Sequence, residues 1–204
     1  MDRQTALSAL QNARTRFFVA GAATALLIGS SSAAMIMDYD IVFSDQGFQA
    51  NKKGAPRPMG SSRIISFNRA TGEDGALALL ELAFQKVLSD SVDIVKAYAR
   101  EVDEWHQLKR EHWFAFALHL RNAFSHNGKW HFESHAVLPV RWRNYSVVRE
   151  MQGDPAQGFI THYHGTELMA QMMLYVSGRT DCRQGRIQSP EDGLLGLEDF
   201  TPLT

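Results

Sequence analysis

A lone cysteine, Cys182, in 204 residues leaves no partner for an intramolecular disulfide and too few thiolates for a multi-cysteine zinc site. That usage fits a reducing compartment, and the predicted location is cytoplasmic. Charge of neither sign dominates: 21 Lys and Arg face 22 Asp and Glu, a net of −1. No global field therefore recruits a polyanion, and any nucleic-acid contact has to come from a local patch. Long runs rich in Leu, Ile and Val are also missing. The one extended uncharged stretch, Phe17 to Met37, is filled largely by Ala, Ser and Gly, so its transfer energy falls well below that of a membrane span. It reads as a buried helix, with no stable membrane insertion. A signal peptide would need a sixteen-residue n-region containing Asp2, which is a poor match.

What is present is apolar content of 45%, enough to bury a core and to exclude disorder. Residues 4–29 carry Leu7, Leu10, Phe17, Phe18 and Leu26 near helical spacing, followed by a short apolar piece to Met37. Between Asp38 and Gly75 lies a long connection with at most one short strand, at Arg63–Phe67; it is locally basic through Lys52, Lys53, Arg57, Arg63 and Arg69. Residues 75–104 hold no proline and predict one long helix, or two with a break near Ser89–Ser91. Their acidic run, Asp90, Asp93, Glu101, Asp103 and Glu104, reads as a water-facing side. A further helix is predicted over about Leu108–Asn127, stopped by Gly128. Ala136–Trp142, Tyr145–Arg149 and Phe159–Tyr163 suggest an antiparallel hairpin or three-stranded meander. Gly165–Val176 closes as a helix before Gly178. The prediction is a mainly α fold: one helical domain over 1–178, a β-hairpin insertion at about 136–163, and an extended tail over 179–204.

The chemistry concentrates in Leu120-Arg-Asn-Ala-Phe-Ser-His-Asn-Gly-Lys-Trp. At ~100° per residue, Arg121 and His126 stand ~140° apart on a helix, with Asn122 inside that arc. One face thus presents a fixed cation, an amide and an imidazole. Cleavage of an RNA phosphodiester asks for a base to take the 2′-hydroxyl proton, a cation for the pentacoordinate phosphorus, and an acid for the departing 5′-oxygen. An imidazole titrates near working pH, and a guanidinium offers a planar fork of donors matched to phosphate oxygens. Around the motif, residues 107–149 hold Lys109, Arg110, Arg121, Lys129, Arg141, Arg143 and Arg149 against Glu111 and Glu133, a local patch of the kind phosphate contacts require. Lys129, Arg141, Arg143 and His119 are the candidate RNA contacts.

Arg121-Asn-Ala-Phe-Ser-His126-Asn-Gly resembles the Arg-polar-x3-His motif of the HEPN domains, an all-helical superfamily of ribonucleases and RNA-binding modules. The following Trp142-Arg-Asn-Tyr-Ser-Val-Val stretch is similar to a plasmid- and prokaryote-borne subfamily with a β-hairpin after the motif. The resemblance is tight over about residues 108–150 and architectural elsewhere. It implies a bundle of four or five helices and a homodimer whose two motifs meet in a composite active site. It also implies metal-independent RNA cleavage to a 2′,3′-cyclic phosphate without a cofactor, and a toxin or phage-defence role with a possible antitoxin or regulatory partner. Carried over by position, Arg121 and His126 are the catalytic pair, with Asn122 assisting.

Two rival readings stand beside this one. Eight histidines invite a metal hydrolase, yet His112, His119 and His126 on one helix face would sit ~10.5 Å apart in rise, too far for one ion. His162 and His164 would point the same way on a strand but lack a third ligand in the sequence, so no metal site is predicted. The other rival is a non-catalytic HEPN module that binds RNA or regulates a partner through the same stripe.

Overall fold

The computed structural model describes residues 1–28, 39–44, 47–54, 63–66 and 69–178. They are mainly helical: α1 (Arg3–Ile28), α2 (Arg69–Glu101), α3 (Trp105–Leu108), α4 (Phe114–Ser125) and α5 (His162–Ser177). Strands β1 (Tyr39–Ser44), β2 (Gly47–Lys52) and β3 (Arg63–Ser66) lie between α1 and α2; β4 (Val140–Trp142) and β5 (Tyr145–Val147) lie between α4 and α5. The second apolar piece reaching Met37, Arg57 of the basic loop, and the tail 179–204 with Cys182 lie outside the described residues. None of the described helices is long and apolar enough to cross a membrane.

The chain divides into two compact units, residues 15–84 in one and residues 1–14 with the chain from 85 onward in the other. In the 15–84 unit α1 and α2 run antiparallel. Phe17 tilts against Phe84 at 5.6 Å, Gly21 faces Leu80, and Thr24 Oγ1 donates to the Ala76 carbonyl at 3.0 Å. The buried hydroxyl is thereby satisfied, as burial requires. The connection expected to be nearly structureless instead forms an antiparallel sheet in the order β2-β1-β3. In it Ile41 pairs with Ala50 on one side and with Ile65 on the other. Only β3 matches the expectation. β2 reads Gly-Phe-Gln-Ala-Asn-Lys and holds few strand formers, whereas β1 reads Tyr-Asp-Ile-Val-Phe-Ser, an aromatic and β-branched run whose strand signal the expectation passes over.

The other unit carries the motif. Asp2 caps α1, accepting from the Thr5 N–H at 2.8 Å and the Thr5 hydroxyl at 2.9 Å; these bonds hold its carboxyl below the usual range. In α2, Leu88, Val92, Val95 and Ala99 recur at three- and four-residue spacing and are buried. Of the two readings, one long helix or two, the single helix holds, with no break near Ser89–Ser91. A break does occur before α4, where residues 109–113 leave the helix. Leu108 and Trp113 are both fully buried, yet on one continuous helix they would stand ~140° apart. Leaving the helix lets both reach the core, where Trp113 meets Phe114 and Tyr175 edge-on.

After α4, the β4–β5 hairpin lays Trp142 against Phe116 with ring centres 5.3 Å apart, and Trp142 Nε1 donates to Gln171 of α5 at 3.1 Å. Of the hairpin and the three-stranded meander, the hairpin forms: Phe159–Tyr163 adds no third strand, since Thr161 caps α5, its hydroxyl accepting from the His164 N–H at 3.2 Å. Phe159 instead meets Trp130 edge-on. His162 and His164 therefore lie on a helix, ~200° apart around its axis, and do not face the same way. At the far end Gly178 adopts φ 74° and ends α5 as expected.

Candidate active site at the end of helix α4

Helix α4 stops earlier than the expected Asn127. His126 is its C-cap (φ −104°, ψ 53°), and its N–H still donates to the carbonyls of Asn122 at 3.0 Å and Ala123 at 3.1 Å. Asn127 (φ 57°) and then Gly128 (φ 70°) both turn left-handed. Asparagine tolerates that conformation better than any other large residue, so it ends the helix one position before the glycine does. The shortened helix keeps Arg121 and Asn122 in regular turns and leaves His126 exposed at the tip.

Arg121 does not stand alone. Its Nη2 donates to Asp93 Oδ2 at 2.8 Å, with Nε at 3.3 Å from the same oxygen. The other oxygen of Asp93 lies 3.6 Å from Lys96 Nζ. One carboxylate between two cations leaves this spot with a positive balance. The carboxylate also grips a single edge of the guanidinium, so both hydrogens of Nη1 are left for another acceptor. Asp93 belongs to the acidic run that reads in sequence as a solvated side. Its role required the knowledge that α2 lies beside α4, which nothing in the residue spacing supplies.

A second unforeseen residue sits at the tip. The rings of His126 and His131 lie 4.6 Å apart, their planes inclined by 36°, and both residues are exposed. The position of His131 follows from its neighbours. Trp130 and Phe132 are buried, with 1% and 7% of their surface exposed, and extended backbone alternates sides, so the residue between them faces out. The segment is tied down by backbone bonds. Trp130 N–H donates to the Asp154 carbonyl at 2.9 Å, Gly153 N–H to the Trp130 carbonyl at 2.8 Å, and Ala156 N–H to the Gly128 carbonyl at 2.7 Å. The Gln152 side chain accepts from the Phe132 N–H at 2.7 Å.

The remaining candidates are scattered around this centre. Lys129 and Arg141 are exposed. Arg143 occupies the hairpin turn with φ 51°; its guanidinium lies over Trp142 and bonds Glu167 at 3.0 Å, tying the hairpin to α5. His119 packs edge-on against Phe132, and its Nδ1 is buried without a hydrogen-bond partner. His112 lies in the turn before α4 rather than on the helix. Among the described residues no group of three or more His, Cys, Asp or Glu side chains converges to hold a metal ion.

Burial pushes the His119 imidazole below its ordinary pKa, a backbone contact at Val137 opposes this, and the Arg149 charge adds to the depression. The unfolded chain therefore binds this proton more readily than the folded one. Stability from this residue is whole above the unfolded value of ~6.5 and is lost as pH falls through the lower folded value. Thermal melts between pH 7.5 and 5 should accordingly show a smaller acid-induced fall in His119→Gln than in the unmodified chain.

Comparison with protein-family models, with curated proteins and with solved structures finds no match to this chain.

Proposed function

We propose that this chain is a metal-independent endoribonuclease of the HEPN type, acting on RNA by 2′-hydroxyl attack to leave a 2′,3′-cyclic phosphate. The observation that supports this reading is the pairing, on one short helix, of an oriented guanidinium and a solvent-facing imidazole. Arg121 is held by Asp93 with donors to spare, while His126 stands exposed at the helix end. In this reading His126 takes the 2′-hydroxyl proton, Arg121 stabilises the charge on the pentacoordinate phosphorus, and Asn122, one turn before His126, steadies substrate or ring. Exposed Lys129 and Arg141 supply phosphate contacts. A helical bundle of the HEPN kind, pairing of two copies so that their motifs share one cleft, a cytoplasmic toxin or phage-defence role, and a restraining antitoxin partner belong to the same proposal.

The test is direct. Purified protein is incubated with single-stranded RNA in EDTA and the fragment ends are analysed. Cleavage to cyclic-phosphate and 5′-hydroxyl ends is the expected result. RNA that is retained but left uncut, with or without divalent ions, overturns the reading in favour of a non-catalytic RNA-binding or regulatory module.

Asp93 gives a separate prediction. Because the Asp93–Arg121 pair is partly exposed, its removal costs only about 0–1 kcal/mol of stability. Its effect on rate is larger, since a displaced catalytic group costs up to ~10²-fold. Asp93→Ala should leave the melting temperature nearly unchanged and lower kcat, while Asp93→Asn, which keeps an acceptor for the guanidinium, should lose less. Steady-state cleavage assays beside thermal melts check both.

A further inference from the structure

His126 and Arg121 fill two of the three roles that RNA cleavage demands; nothing in the Arg-polar-x3-His spacing provides the acid. We infer that His131 is that acid, protonating the departing 5′-oxygen. The inference rests on the proposed RNA cleavage and deepens it.

Three observations carry it. The His131 ring lies 4.6 Å from that of His126, a spacing that lets both rings reach oxygens of a single phosphodiester while each keeps the ~2.6–3.2 Å contact that proton transfer needs. Both side chains are exposed, so substrate has access. The backbone on either side of His131 is held by buried Trp130 and Phe132 and by hydrogen bonds to Gln152, Gly153 and Asp154, so the ring is presented from a fixed segment. Preorganisation of this kind is what a proton donor requires.

The step balances without any further reactant. Neutral His126 takes the proton from the 2′-hydroxyl as the 2′-oxygen forms its bond to phosphorus. The bond from phosphorus to the 5′-oxygen breaks, its electron pair stays on that oxygen, and the oxygen takes the proton of the His131 imidazolium. His126 ends protonated and His131 neutral, and exchange with water restores both.

The test uses two substrates of the same sequence, chosen after the scissile link has been mapped with unmodified protein. One is ordinary RNA, and the other carries sulfur in place of the bridging 5′-oxygen at that link. A thiolate leaves without protonation, so it needs no acid. His131→Ala should slow cleavage of ordinary RNA by ~10²–10⁴-fold yet cut the sulfur substrate at close to the unmodified rate. His126→Ala should be slow on both. Circular dichroism and melting curves on His131→Ala and His131→Asn establish that the fold is retained. If His131→Ala cleaves ordinary RNA as fast as the parent, or is equally impaired on both substrates, His131 is not the acid. Rescue of His126→Ala instead would likewise overturn the assignment. Should the parent protein cut neither substrate, the ribonuclease reading itself fails, an outcome distinct from normal cleavage that ignores residue 131.

Discussion

Arg121→Ala and His126→Ala should each slow RNA cleavage by ~10²–10⁴-fold, the range for loss of a phosphate-stabilising cation or a general base. Both side chains are partly or fully accessible at the end of α4, so the helical content of each variant should match the parent. Arg121→Lys should recover little. A lysine ammonium can touch both acids, but it has no planar fork with which to hold Asp93 on one edge and offer a phosphate oriented donors on another. Initial rates on a defined RNA, measured beside far-ultraviolet circular dichroism, separate lost chemistry from lost structure. Expression in cells, with the parent chain beside His126→Ala, extends the comparison to toxicity: growth arrest by the parent alone is expected. Equal rates for both variants and the parent would show that the helix end carries no chemistry.

The second large effect concerns folding rather than reaction. Trp130 is 1% exposed, meeting Phe159 edge-on and stacking on Phe132. Trp130→Ala should destabilise the unit by about 3–5 kcal/mol, the usual range when a large buried aromatic is truncated and a cavity remains. Chemical denaturation monitored by circular dichroism measures this. Activity should fall with it even at temperatures where the variant stays folded, because the segment bearing His131 loses its inner anchor. Trp130→Phe, which keeps most of the ring contact, should lose much less of both stability and rate.

Periodicity made the long helices readable. α1 runs over residues 3–28 where the spacing predicts 4–29, and α5 ends at Gly178 as its sequence announces. A left-handed glycine is a local signal and survives folding; the apolar set of α1 does so only in part, with Leu10 and Phe17 buried but Phe18 and Leu26 exposed, so α1 from Phe17 onward is not the buried helix its composition suggests. In the sheet before α2 the aromatic and β-branched run of β1 is a legible strand signal that the expectation omits, while β2, mostly polar and small, carries none. The break at residues 109–113 was hidden too: Lys-Arg-Glu-His-Trp contains no helix breaker, and what interrupts the helix is the burial of Trp113 among distant aromatics. At the site, Arg121, Asn122 and His126 were visible because their spacing along one helix is a local property. Asp93 and His131 were not. The first comes from a helix twenty-eight positions away, and the second depends on a left-handed turn that brings the chain back beside the helix tip. For His131 a faint signal existed in the alternation Trp130-His131-Phe132, which marks the middle residue as outward-facing once its neighbours are known to be core.

That alternation gives the segment Trp130-His131-Phe132 a parity of its own. In extended backbone a shift of a single position exchanges inside for outside. A slip of one residue against Gly153 and Asp154, whose backbone bonds fix Trp130, would aim the imidazole at the aromatic interior and a tryptophan at water. Register is thus fixed at the tryptophan rather than by the length of the left-handed turn before it, and substitution at the outward positions is structurally cheap.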